Sequence, residues 1–383
     1  MEKRELPIVA LSITNKFGAS SEKSEIKGVA HVIEHLLFTG TKTRTHEDIS
    51  RSIEKKGGIL NAFTSNEMTS FWFKLPSEHV FIGLEILADM LNNPLFDNEK
   101  FEKEKKVILE EIKMYHDDPA IFIFEQLEGN LYEKPFGETV IGNEKSVSSL
   151  TREKVYRFFK ENYNPSNYVI SIVGNVDFKK VCDFIEKKFS KNESKVKTIQ
   201  IKKKNEDSYE ERPGIDQAHF VIGMHAPLST EKGHYVLEVL DAYLANGMSS
   251  RLFLEIREKR GLAYAVRSNI QSEKSYSYYC IYAGTRKDKI EEVKKIILEE
   301  LEKINSMVQS DLEEAKERLI GLRKITKEES VNVMNALMTN ELSGKAEDYY
   351  LHEEKIKEVR LDEVKKLAKE LLKKYSTAAI VPK

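Results

Sequence analysis

The sequence predicts an α+β protein built from two homologous domains, each a mostly antiparallel sheet with helices packed on one face. Three observations carry that reading. Lys27-Gly28 and Lys232-Gly233 each open an apolar, helix-patterned stretch, at 27–40 and 232–245. Ile53-Glu54-Lys55-Lys56-Gly57 is echoed by Arg257-Glu258-Lys259-Arg260-Gly261. In both halves strand-like segments (59–75 and 262–284) lead into helical ones (77–92 and 287–305), and each half closes on a short apolar strand, Tyr168–Gly174 and Thr377–Val381. The expected division is a first domain at 1–190, a polar linker or surface segment at 191–213 with a strand suggested near Lys197–Lys202, and a second domain at 214–383. A length of 383 residues accommodates this.

Taken in order, an apolar strand at Pro7–Thr14 comes first. The helix that follows has Gly28 near its start, an apolar stripe of Val29, Ile33, Leu36 and Leu37, and Thr39-Gly40 as a stop signal. It carries His31, Glu34 and His35. Positions i and i+4 lie on one helix face, so the two imidazoles can grip one metal ion, with Glu34 on the same side and near enough to act on a metal-bound water. This H-x-x-E-H order reverses the commoner zinc-peptidase motif. The bland alternative is a core helix with two incidental histidines, and a third ligand has to decide between them.

A catalytic zinc takes three protein ligands and keeps one position for water. The long helix predicted from an Asp97 cap to Asp117-Asp118-Pro119 buries a stripe of Phe101, Ile108, Ile112 and Tyr115. Glu104 and Glu111, two turns apart, fall along the edge of that stripe, whereas Glu110 points away. A carboxylate on the core side of a helix is costly unless it is paired or binds metal. Glu111 is therefore the expected third ligand, Glu110 a solvated charge, and Glu104 the acceptor that fixes the tautomer of a ligand histidine.

H-x-x-E-H followed some 75 residues later by E-x6-E resembles the pitrilysin/insulinase family of zinc peptidases, which includes the mitochondrial processing peptidases and their bacterial relatives. Gly57–Ser65 resembles that family's substrate-binding edge strand, and Asp117-Asp118-Pro119 follows the ligand helix as it does in the family. Met248-Ser249-Ser250-Arg251-Leu252-Phe253 and Arg257–Tyr264 resemble the signature of its second domain. The resemblance implies Zn²⁺ as cofactor, substrate contacts at Asn61, Ala62 and Phe63, and catalytic roles for Arg257 and Tyr264. Arg257 would anchor the substrate backbone or carboxylate, and Tyr264 would donate to the developing oxyanion. It further implies a homodimer in which those two residues serve the metal site of the other subunit. The family's extra N-terminal strand is expected to be missing ahead of Pro7–Thr14.

The repeat also says where the chemistry is absent, since His31, Glu34 and His35 align with Val236, Val239 and Leu240. A net charge of −2 argues against nucleic acid, which needs an excess of basic residues. Two distant cysteines suggest neither a disulfide framework nor a cysteine metal site. No apolar run reaches membrane-spanning length, and the N-terminus has no signal-peptide core, so a cytoplasmic enzyme without a membrane partner is expected. The reading is a zinc-dependent endopeptidase acting on unfolded peptides or presequence-like segments, with Glu34 as general base. Its rivals are a non-catalytic scaffold, which would have no need of Glu34, and a subunit that requires a different partner chain.

Overall fold

The computed structural model describes residues 1–189 and 200–383, so part of the expected linker, including the first half of the strand suggested at Lys197–Lys202, lies outside the described residues. The strands are β1 (Glu2–Lys3), β2 (Ile8–Asn15), β3 (Ile59–Thr64), β4 (Thr69–Pro76), β5 (Tyr168–Gly174), β6 (Asp207–Arg212), β7 (Ala218–His225), β8 (Ala263–Ser272), β9 (Ser277–Thr285) and β10 (Ser376–Pro382). The helices of the first half are α1 (Val29–Phe38), α2 (His46–Glu54), α3 (Val80–Asn92), α4 (Asn98–Asp117), α5 (Pro119–Leu131), α6 (Glu144–Ser149), α7 (Arg152–Asn162) and α8 (Phe178–Lys188). Those of the second are α9 (Gly233–Leu244), α10 (Ile290–Glu302), α11 (Gln309–Thr326), α12 (Ser330–Ser343), α13 (Asp348–Lys357) and α14 (Leu361–Leu371), with a π-helical turn at Phe253–Glu258. Local chemistry sets several boundaries. Thr45 and Asp48 form a capping box at α2. Asp97 caps α4 through the Lys100 amide at 2.9 Å, and Asp118 caps α5 ahead of Pro119, which needs no amide partner.

Two compact units result. The first comprises Met1–Met114, Glu138–Gln200 and Thr326–Glu347; the second comprises Tyr115–Gly137, Ile201–Ile325 and Asp348–Lys383. They are not the sequential halves 1–190 and 214–383: each borrows one helical segment from the other half of the chain.

In the first unit the sheet order is β1-β5-β2-β4-β3, with β1 parallel to β5 and every other pair antiparallel. β1 thus occupies the edge that the family resemblance left empty, though it is only two residues long. Opposite partners Leu11 and Phe73, and Ile13 and Phe71, face one side, where they bury against Ile33, Leu36, Leu84 and Leu87 of α1 and α3. The other side of the sheet is lined by the small buried residues Ser12, Thr14, Ser70 and Ser171. It takes the borrowed helix α12, whose Met334 carbonyl accepts from Ser171 Oγ at 2.9 Å. Helices therefore crowd one face of the sheet, as expected, and among the described residues α12 covers the opposite one.

The second unit repeats the plan, with order β6-β10-β7-β9-β8 and β6 parallel to β10. Phe220, Ile222, Tyr279 and Ile281 bury against α9 and α10. On the reverse face Val221, Cys280 and Ile380 meet Ile123, Leu127 and Leu131 of the borrowed α5. Residues read from the sequence as part of a polar linker turn out to form β6. An edge strand with alternating exposure needs little apolar content, so its pattern is hard to tell from a loop.

Gly83 of α3 lies where the helix crosses β4, and a Cβ there would sit 2.6 Å from the Phe73 ring. Alanine normally stabilises a helix interior by about 1 kcal/mol over glycine. Overpacking a filled core costs roughly 1–3 kcal/mol. Gly83→Ala should therefore lower the melting midpoint, whereas Gly321→Ala in α11, with no atom near the added methyl, should leave it unchanged or raise it. Thermal melts followed by circular dichroism check both signs.

Candidate metal centre

The position of the two histidines begins with a buried carboxylate. Glu22 and Lys27 are both fully buried. Glu22 accepts hydrogen bonds from the Gly28 and Ala30 amides at 2.8 and 2.6 Å, while Lys27 Nζ donates to the Ala19 carbonyl at 2.8 Å. Burial pushes the Glu22 carboxyl up to about 7, with Lys27 and the two amides opposing the shift. Gly28 has φ of 94° and starts α1 from a left-handed conformation. The far end of α1 is tied by Lys100 Nζ, which donates to the Thr39 carbonyl at 2.5 Å.

Between these ties α1 turns His31 and His35 to one side, their ring centroids 4.7 Å apart. Glu111 of α4 approaches both: its Oε2 lies 3.9 Å from His31 Nε2 and 3.5 Å from His35 Nε2. One donor atom from each of the three residues falls within 4.8 Å of the others. Glu104, two turns back along α4, lies with its Oε2 3.3 Å from His35 Nδ1. Glu110 points elsewhere, 73% exposed and paired with Lys113. Glu34 Oε2 accepts a hydrogen bond from Thr64 Oγ1 at 2.5 Å.

Electrostatics separate the two imidazoles. Burial, with the neighbouring His35, brings His31 down to about 4, so its ring is neutral and has a lone pair to give. Burial disfavours charge on His35 as well, but hydrogen bonds to Glu104 and Glu111 win and lift it to about 9. The Glu111 carboxyl is lowered by its hydrogen bond to His35 against the cost of burial. Burial raises the Glu34 carboxyl, and the Thr64 hydroxyl opposes that rise. Two ring nitrogens and one carboxylate oxygen, converging on one place, are a donor set that suits Zn²⁺.

The remaining predicted residues fall in two groups. Asn61, Ala62 and Phe63 lie on β3, an edge strand paired only with β4 among the described residues, and α1 packs beside it. Arg257 and Tyr264 belong to the second unit. The structure brings those two together, with the Arg257 guanidinium 5.7 Å from the centre of the Tyr264 ring. Positions Val236, Val239 and Leu240 of α9 are core residues. Two contributors had not been assigned. Thr64 shares its strand face with Leu60 and Ala62, and this alternation along 60–64 was the signal available. Glu22 gave no sequence signal, being one glutamate in a charge-rich loop. Among the described residues, no helix is long and apolar enough to cross a membrane.

A duplicated α+β fold with an inverted histidine–glutamate motif on α1 and a converging glutamate on α4 is the architecture of the inverted zinc peptidases. Residues 2–144 match the family description "Insulinase (Peptidase family M16)", and residues 149–319 match "Peptidase M16 inactive domain". The chain belongs to this family. It is 33% identical over 386 residues to a Bacillus subtilis protein named an uncharacterized zinc protease, covering 98% of this chain and 93% of that one. A Rickettsia felis protein with the same description is 32% identical, covering 97% and 92%. A protease from Helicobacter pylori shares the fold with a TM-score of 0.92 at 22% identity, covering 98% of this chain and 94% of its own. The fold also occurs in a chain of complex III2 from Candida albicans (TM-score 0.86, 16% identity, 99% and 92% covered), so the site rather than the fold has to carry the chemistry.

The helix register yields a test. Glu111→Ala should lose metal on dialysis while Glu110→Ala retains it, as read by elemental analysis. The opposite pattern would overturn the assignment of the third ligand.

Proposed function

We propose that this chain is a zinc-dependent endopeptidase that cleaves unfolded peptides or presequence-like segments. The observation that carries the reading is the convergence of His31, His35 and Glu111 within 4.8 Å, with Glu34 on the same helix and an open strand edge alongside. In this reading His31, His35 and Glu111 hold the ion, and Glu104 orients His35. Bound there, Zn²⁺ would polarise the scissile carbonyl and make water a better nucleophile at neutral pH. Glu34 takes the proton of the attacking water and passes it to the leaving amine. Its burial supports that role, because a carboxylate with a raised pKa is a stronger base, and Thr64 keeps it oriented. The substrate adds to β3 along Asn61, Ala62 and Phe63 through main-chain hydrogen bonds, a mode that admits extended chains and excludes folded ones.

Arg257 and Tyr264 complete the reading as groups that hold the substrate backbone and donate to the oxyanion. Both side chains are exposed, Tyr264 at 76%, which suits contact with a ligand better than a stabilising role. The proposed assembly is a homodimer in which these residues serve the metal site of the other subunit; two-fold pairing is the commonest assembly of soluble chains.

Two experiments test the reading. Glu34→Gln should keep its zinc and lose on the order of 10²–10⁴-fold in peptide turnover, because an amide cannot take the proton. Turnover near wild type would remove Glu34 from the mechanism. Separately, Glu34→Gln and Tyr264→Phe proteins, each weak alone, should regain activity when mixed under conditions that exchange subunits, since one site of the mixed dimer keeps both groups. Confirmed exchange with no gain over the sum of the parents would refute sharing between subunits.

A further inference from the structure

The π-helical turn Phe253–Glu258 sorts its side chains sharply. Leu252 and Ile256, next to and within it, are fully buried in the core of the second unit. Phe253 is absent from the side chains that pack against that core among the described residues, although it is a large aromatic and partly buried. What it touches instead is Arg257: the guanidinium carbon lies 4.9 Å from the centre of the Phe253 ring. Tyr264, at the start of β8, covers the guanidinium from its own ring at 5.7 Å. The turn closes through the Lys259 amide to the Leu254 carbonyl, a five-residue step at 2.9 Å. Residues four apart on a helical coil share one face, and Phe253 and Arg257 are so placed.

Arg257 has little else to hold it. Its guanidinium makes no hydrogen bond to another described residue, and its ion-pair contact is a long one, 3.8 Å to the exposed Glu258, with the arginine side chain 44% exposed. A free arginine of that length samples many rotamers, and fixing it on binding costs affinity. Stacking on a ring leaves the N–H edge of the guanidinium available while removing most of that freedom.

We propose that Phe253 is a positioning residue that pre-sets Arg257, with Tyr264, to receive a main-chain carbonyl or carboxylate of an extended peptide. The inference rests on the reading of Arg257 as a substrate anchor. In this proposal Phe253 acts by holding the arginine.

A double-mutant cycle with a direct structural readout tests this in the full-length zinc-loaded protein. Peptide cleavage is measured for Phe253→Ala, Phe253→Tyr, Arg257→Ala and the Phe253→Ala/Arg257→Ala double variant. The Arg257 Nε–H resonance, assigned by its loss in Arg257→Ala, reports the ring current of the stacked aromatic. Phe253→Ala should lower kcat/KM roughly two- to five-fold, the strength of an exposed cation–π contact, mostly through KM. Phe253→Tyr should restore it, and in the Arg257→Ala background the same change should have no further effect. The Nε–H resonance should move in Phe253→Ala and stay in Phe253→Tyr, with zinc content and melting midpoint unchanged. An equal loss in both backgrounds would show that Phe253 acts independently of Arg257, and an unmoved resonance would show that no stack exists; either overturns the proposal. A moved resonance combined with wild-type kcat/KM in Arg257→Ala would overturn the substrate role of Arg257 instead, while leaving the stack in place.

Discussion

The carboxylate of Glu22 and the amides of Gly28 and Ala30 form the contact on which the rest of the site depends. A helix N-terminus leaves several amides unpaired, and burying them without partners is costly. Here one side chain satisfies two, at 2.8 and 2.6 Å, and its charge complements the positive end of the helix dipole. The amide of Ala30 is one residue before His31. Displacing that clamp would turn or shift α1, and His31 and His35 would move together relative to Glu111, which sits on a different helix. Burying a carboxylate is itself unfavourable, and Lys27, equally buried beside it, provides the compensating charge. The histidines inherit their precision from a pair of residues that touch no ligand.

Duplication explains both the economy and the asymmetry of the molecule. Each unit needs a cover for the second face of its sheet, and each finds it in the other half of the chain: α12 for the first, α5 for the second. The two covers use different chemistry. The first sheet offers Ser12, Thr14, Ser70 and Ser171 to α12, a small polar surface on which Ser171 donates to the Met334 carbonyl and Thr14 and Ser70 to the Met338 sulfur. The second offers Val221, Cys280 and Ile380 to α5, an apolar surface that relies on burial. On the inner face the repeat is conservative, and α9 stands where α1 does. α9 turns valine and leucine into the core where α1 turns imidazoles toward α4.

Much of this was legible in the residues. The spacing of His31 and His35 fixed their common face, and the stripe along α4 separated Glu111 from Glu110, because 3.6-residue periodicity survives folding unchanged. Strand and helix order in the two halves followed from the repeat for the same reason. What periodicity does not carry is pairing over long distances. Nothing in Ser330–Ser343 says which sheet it will cover, since its face is matched to residues more than 150 positions away. β6 was missed because an edge strand shows one polar side to water and another to a neighbour, and Asp207–Arg212 reads as polar throughout. Glu22 was missed because burial of a charge is decided by what closes over it, here Lys27 and the start of α1.

The four sheet edges differ in a way that bears on the proposed peptide-binding role. An unpaired strand edge invites association with other chains, and charged residues are a common protection. β6 carries Asp207, Glu210, Glu211 and Arg212, β8 carries Arg267, and β1 is two charged residues long. β3, Ile-Leu-Asn-Ala-Phe-Thr, carries no charge at all, and Ile59 is 55% exposed. Left unprotected, such an edge is a liability in a protein that otherwise has 32% charged residues. Its side chains are also the ones that meet α1, and Thr64 at its end bonds to Glu34. A lysine or glutamate on this strand would shield the edge, but it would also place an uncompensated charge near Glu34 and the histidines and shift their protonation. An open, uncharged edge is the arrangement compatible with both an extended peptide as ligand and an undisturbed base next to it.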